Sequence, residues 1–132
     1  MNELDDDING VMVAYKKAVF AKNVDAFMTL YDPQVCVFDM WGQWSYDGAD
    51  AWRAMVTGWF ASLEQSNVVV NFEQVCIIAT ADVAVAHAMV IYTGVSALGE
   101  ELCAMHNRLT WTLKPTGNGW RIVHEHTSAP VD

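Results

Sequence analysis

The sequence predicts an α+β fold: three N-terminal helices packed on a strongly curved, mostly antiparallel sheet, with a pocket between the two layers. Three observations predict it. Apolar residues recur at helical spacing through most of the first half of the chain. Beyond Val68 the pattern changes to long strand-like runs. Short turn segments separate those runs. Helices followed by a meander of strands indicate α+β, and a curved sheet leaves a cavity beneath its helices.

Each element can be justified in turn. Asp5, Asp6 and Asp7 suit a helix start, where the dipole favours acids. Ile8, Val11, Met12, Tyr15, Val19 and Phe20 then mark one apolar side, and the helix is expected to end near Lys22 and Asn23. A short second helix is expected from Val24 to Tyr31, stopped by Asp32-Pro33. Val35 to Met40 reads as a strand and Trp41 to Gly48 as a loop. Gly48-Ala49-Asp50 opens a third helix with Trp52, Met55, Val56, Trp59, Phe60 and Leu63 on its apolar side. Four strands follow, Val68 to Ala79, Val83 to Val95, Leu102 to Leu113 and Trp120 to Ser128. Their connectors carry turn chemistry: Thr80-Ala81-Asp82, Ala97-Leu98-Gly99 and Pro115 to Gly119.

At 132 residues the chain is read as one domain, 1–132, large enough to bury a core. Its 53% hydrophobic and 17% charged residues exclude a disordered chain and point to a pocket or a subunit interface. A net charge of −9 argues against nucleic acid and anionic membrane surfaces as partners. No apolar run approaches the roughly 18 residues of a membrane span. The acidic start is unlike a signal peptide. Cys36, Cys76 and Cys103 share no CxxC spacing, sit in apolar strand-like runs and read as buried free thiols of a cytoplasmic, bacterial protein.

The closing strand alternates most clearly. Trp120, Ile122, His124, His126 and Ser128 fall on one face, Arg121, Val123, Glu125 and Thr127 on the other. Laid against the preceding strand, Thr127 can fall opposite Arg108 and Glu125 opposite Thr110. A register slip of one residue exchanges the two faces.

The chain resembles the nuclear transport factor 2-like superfamily of cystatin-like fold, in its SnoaL-like and ketosteroid isomerase-like branch, and is also similar to the association domain of calcium/calmodulin-dependent kinase. The resemblance rests on Tyr31-Asp32-Pro33 running into Val35 to Asp39, on Asp47-Gly48 before the third helix, on Asn107-Arg108-Leu109, and on Trp120 to Ser128. It covers nearly the whole chain. It implies a cone-shaped pocket and a homodimer through the sheet. Function does not follow, because the fold hosts enzymes, binders and assembly modules.

Against that background the candidate site residues are these. Asp39 ends an apolar strand, where desolvation raises a carboxyl pKa and suits it to be a base; the resemblance places the isomerase base here, and the alternative is a cap on the Trp41 loop. Tyr15, on the apolar side of the first helix, matches the isomerase oxyanion tyrosine or is a core tyrosine. Alternation puts Arg108 in water, yet the resemblance implies a pocket arginine, hence an anionic or carbonyl-bearing small-molecule ligand. Glu125 and Thr127 share a face and either neutralise Arg108 or meet solvent. Trp41 and Trp44 can close the pocket over a ligand; Trp59, Tyr92 and His106 complete the expected lining. His124 and His126, with His87 and His106, invite a zinc reading, but no standard ligand spacing is present. The expected chemistry is cofactor-free and metal-free acid/base work beside a carbonyl by an isomerase, cyclase or hydratase/dehydratase. The alternative is a non-catalytic ligand-binding or oligomerisation module.

Overall fold

The computed structural model describes residues 3–131; Met1, Asn2 and Asp132 lie outside the described residues. The order is α1 (Glu3–Ala21), α2 (Val24–Met28), β1 (Tyr31–Phe38), β2 (Tyr46–Asp47), α3 (Ala49–Ser62), β3 (Asn67–Ala79), β4 (Ala84–Val95), β5 (Glu101–Thr116) and β6 (Gly119–Ser128). The six strands form one mixed, curved sheet, β2-β1-β6-β5-β4-β3. All pairings are antiparallel except β1 with β6, which is parallel. No described helix is long and apolar enough to cross a membrane.

The acidic first turn of α1 and its stripe of Ile8, Val11, Met12, Tyr15 and Val19 behave as the spacing indicates. Phe20 is the exception, about half exposed. Past the helix, Lys22 takes a left-handed φ of 55°. Its Nζ donates to the Glu64 and Ser66 carbonyls at 2.7 Å each, tying α1 to the turn before β3. Asn23 caps α2 by accepting from the Ala26 N–H at 3.0 Å.

Helix α2 stops at Met28 rather than Tyr31 because the next residues join the sheet. The Ile122 N–H donates to the Leu30 carbonyl at 2.8 Å, and Tyr31 pairs with Ile122. Strand β1 therefore begins four residues earlier than Val35, with Pro33 inside it. The β1–β6 register shifts between Tyr31 and Cys36, so the proline falls where the ladder is already broken. Within the expected loop, Tyr46 and Asp47 form an edge strand against Val37 and Cys36. Gly48 then turns into α3 at φ 91°, a conformation that favours glycine.

The hydrophobic core lies between the helices and the inner sheet face. Helix α1 packs on β3 and α3 on β1. Strand β5 contributes Leu109, Trp111 and Leu113, all fully buried, and β4 contributes Ala84, Ala86 and Val90. Two of the sheet's bulges lie inside its long strands β3 and β6. One lies in β3 between Glu73 and Cys76, where Gln74 has φ 53°. The other lies in β6, where Thr112 pairs with His124 but Leu113 pairs with Ile122, leaving Val123 as the extra residue.

That second bulge corrects the expected faces of β6. Ile122 does not share a face with His124; it is buried on the side of Glu125 and Thr127. The β5–β6 register is also one residue from the expected one. Arg108 pairs with Ser128, Leu109 with Thr127 and Trp111 with Glu125.

Candidate functional site

A cavity of about 650 Å³ opens between the inner sheet face, α1 and α3. Helix α1 supplies Tyr15; α3 supplies Trp52, Met55 and Trp59; β4 supplies Tyr92; β5 supplies Met105 and Asn107; β6 supplies Glu125; and Asp39 follows the end of β1. These positions follow from periodicity. Trp52, Met55 and Trp59 recur on the inward side of α3, and Met105, Asn107, Leu109 and Trp111 are alternate residues of β5. Among the described residues no lysine, arginine or histidine lines the cavity.

Glu125 is its most perturbed carboxyl. It is 2% exposed. Its Oε1 accepts from the Tyr31 hydroxyl at 2.5 Å and from the Trp111 indole N–H at 2.9 Å. Both donors meet Oε1, which leaves Oε2 to the cavity that Glu125 lines. Burial pushes its pKa up to about 7, against the two donors, which favour the charged form, and with Asp39 adding repulsion. At neutral pH this carboxyl holds a proton about half the time.

Asp39 is half-buried. Its Oδ1 accepts from the Thr127 hydroxyl at 3.1 Å and its Oδ2 from the Trp41 N–H at 3.2 Å. Thr127 Oγ1 in turn accepts from the Met40 N–H at 3.0 Å. Asp39 thus both caps the loop and borders the cavity. Desolvation raises its pKa, opposed by the Trp41 and Thr127 bonds.

The Tyr15 and Tyr92 hydroxyls bond each other at 2.7 Å. One donates to the other, so the pair retains one O–H proton for a third group. Burial raises both pKa values, which keeps the phenols neutral donors. Tyr15 is wedged between Phe27 and Trp111, with ring centroids at 5.0 and 5.5 Å. Trp41 is about 59% exposed, yet its indole N–H reaches the Met105 sulfur at 3.4 Å, from one rim of the cavity to another.

Tyr15, Asp39, Trp41, Trp59, Tyr92 and Glu125 therefore come together around one cavity. Thr127 is buried and reaches it through Asp39. Trp44 does not; it is 97% exposed beside a separate outer hollow of about 670 Å³, which Asp39 and Trp41 also border.

Arg108 and His106 require correction. Both are exposed and alternate with buried Asn107 and Leu109. Arg108 Nε donates to the Ser128 hydroxyl at 3.1 Å on the outer face. A guanidinium on the inner face would need a paired anion, whereas water solvates it outside without one. Glu125 consequently bonds Tyr31 and Trp111, and does not neutralise Arg108. His87 and His126 flank Thr110 across the outer face, and His124 Nδ1 lies 2.8 Å from the Cys36 carbonyl oxygen. Among the described residues no three histidine, cysteine or acidic groups converge as a metal site would require. The three cysteines are free but not buried: Cys36 is half-buried, and Cys76 and Cys103 are exposed.

Sequence reasoning passes over Asn107, Tyr31, Trp111 and the cavity face of Trp52. Asn107 carries a signal: it occupies an inward position between Met105 and Leu109. Its buried Oδ1 has no hydrogen-bond partner among the described residues. Trp52 Nε1 is likewise buried without one, though close enough to Tyr31 to favour its charged form slightly.

The SnoaL-like domain family matches residues 8–132. No curated protein matches the chain. Solved structures of the same fold include an NTF2-like protein of unknown function from Pseudomonas putida KT2440, 22% identical, covering 96% of this chain and 87% of its own, with a TM-score of 0.83. Aln2 from a Streptomyces species is 12% identical over 97% of this chain and 91% of its own, with a TM-score of 0.84. A protein named for a calcium/calmodulin-dependent protein kinase II association domain, from Xanthomonas campestris, is 16% identical over 96% and 87%, with a TM-score of 0.74. These identities carry the fold and nothing finer. With helices and sheet arranged as in NTF2-like and cystatin-like structures, this chain belongs to the SnoaL-like domain family.

Proposed function

We propose that the cavity binds a small, mostly apolar molecule bearing a carbonyl group and moves a proton beside that carbonyl without an organic cofactor. The observation that carries this reading is the pair of carboxyls, Asp39 and Glu125, in one apolar cavity with the pKa of both raised by burial. Two carboxyls in unequal environments divide acid and base roles between them.

Asp39 is the base in this reading. Desolvation raises its pKa toward the range a base needs, and the Thr127 and Trp41 donors, which favour the charged form, fix its orientation. The spare proton of the Tyr15–Tyr92 pair, with the Asn107 amide, stabilises the oxyanion formed when an α-proton leaves. Glu125, near its midpoint at pH 7, gives or takes the second proton.

Among the described residues the cavity lining offers no cation to a carboxylate ligand, so an anionic ligand loses its support along with Arg108. The non-catalytic binding or assembly alternative loses the pocket arginine and keeps only the exposed apolar content and the fold likeness to the kinase association-domain protein.

The test is exchange of α-protons for deuterium in a panel of aromatic and cyclic ketones in heavy water, followed by NMR. The wild type should exchange at least one ketone faster than buffer, and Asp39→Asn should slow it by about 10²- to 10⁴-fold. Equal rates in the two proteins would remove Asp39 as the base.

A further inference from the structure

We infer that the cavity selects ligands carrying a protonated amine, held between the Glu125 carboxylate and the aromatic faces of Trp59, Tyr92 and Trp41. The inference rests on this cavity being the ligand site, as proposed above, but not on Asp39 acting as a base.

Three observations carry it. First, a buried carboxyl is normally paired with a cation, because an uncompensated buried charge is costly. Glu125 is 2% exposed and its hydrogen bonds come from neutral groups, Tyr31 and Trp111. Both fall on Oε1, so Oε2 remains for a ligand. Second, the wall is rich in indole and phenol rings, whose faces attract cations. Trp59 and Tyr92 stand edge to face, centroids 5.9 Å apart, so one ring presents its face beside the other's edge. Third, the field favours cations throughout. Asp39 shares the cavity, no described basic side chain lines it, and the chain carries a net charge of −9. An ammonium would supply the missing counter-charge, while its apolar body occupied the region of Met55, Leu63 and Met105.

The cation would draw Glu125 into its charged form, so binding should release a proton wherever Glu125 starts protonated. The titratable groups facing Glu125 are Tyr15 from α1, Tyr31 from β1, Tyr92 from β4 and Asp39 after β1. Burial keeps the tyrosines neutral, and the Thr127 and Trp41 bonds favour the charged form of Asp39, so Glu125 is the group expected to respond near pH 7.

The experiment is calorimetric titration of the intact protein with three probes of one size: naphthylmethylamine, naphthalenemethanol and naphthoate. The amine should bind at least about tenfold tighter than the alcohol at pH 7.5, and naphthoate weakest. In Glu125→Gln, where the amide oxygen still accepts from Tyr31 and Trp111, the amine-to-alcohol ratio should fall toward one. An alcohol equal to the amine in the wild type overturns the inference, and so does a ratio that survives in Glu125→Gln. Should that variant fail to fold, the wild type decides alone. As pH increases, amine affinity should rise about tenfold per pH unit until about pH 7 and level off beyond it; a flat profile overturns the inference. Amine selectivity without ketone exchange in any substrate would leave this inference standing and remove the acid/base reading. Ketone exchange without amine selectivity would do the reverse.

Discussion

The two faces of β5 and β6 are built from neighbouring residues and behave as different materials. On the inner face Asn107, Leu109, Trp111, Glu125 and Thr127 are all buried. On the outer face His106, Arg108 and His126 are exposed, and Thr110, Thr112 and His124 are half-buried. Titratable groups occur on both. What differs is water. On the inner face a single glutamate, shielded by Trp111 and Tyr31, has its pKa pushed to about 7. On the outer face Arg108, Arg121 and three histidines stand on the same two strands, and among the described residues no three histidine, cysteine or acidic groups converge as a metal site would require. Residue type proposes chemistry in this sheet, and desolvation decides where it can occur.

The contrast can be broken most sharply by truncation. Trp111→Ala empties a fully buried indole site and removes a donor to Glu125. It should cost about 3–5 kcal/mol in urea unfolding; a loss below about 1 kcal/mol would mean the inner face is not packed as described.

The next effect is electrostatic and has a definite sign. The folded pKa of Glu125 is raised from 4.5 to about 7. Its contribution to stability is therefore fully present below about pH 4.5 and lost as pH rises through about 7. Replacing it by glutamine removes that dependence. The stability of Glu125→Gln relative to wild type should climb by up to about 3 kcal/mol between pH 4.5 and about 8, read from unfolding curves at each pH. A constant difference would place Glu125 in contact with water.

The smallest effect lies outside. Arg108→Ala loses an exposed hydrogen bond to Ser128 and should change stability by no more than about 0.5 kcal/mol. Amine affinity in the cavity should be unaffected. A large loss of ligand binding would return Arg108 to the site.

Much of this is legible in the sequence. Helical periodicity marks α1 and α3, alternation marks β3 to β6, and an acid ending an apolar strand marks Asp39. What misleads is local to particular residues. Alternation around Arg108 points to water, and the inward position of Asn107 is readable from Met105, Leu109 and Trp111. The similarity to kinase association domains argues the other way, and the arrangement that keeps the guanidinium hydrated prevails. The β6 faces are misread at Ile122 because strict alternation has no symbol for a bulge, which depends on the partner strand. Tyr31 reads as a helix end because its role depends on a parallel pairing with β6, distant in sequence. Glu125 falls on a plausible face, but its neighbours Tyr31 and Trp111 belong to other strands, and no local pattern reports them.

The extra residue in β6 also gives the strand some slack. Ile122 and Glu125 are three positions apart, yet both face inward because Val123 is absorbed between their partners Leu113 and Trp111. A chain lacking one residue between them could pair as a regular ladder, with the acid still opposite Trp111 and still turned toward the cavity. Length variation at this point would change the twist of the strand while leaving the identity of the inward acid untouched. A homologue one residue shorter here need not have lost its site, and an alignment that forces a gap elsewhere in β6 would assign the carboxylate to the wrong side of the sheet.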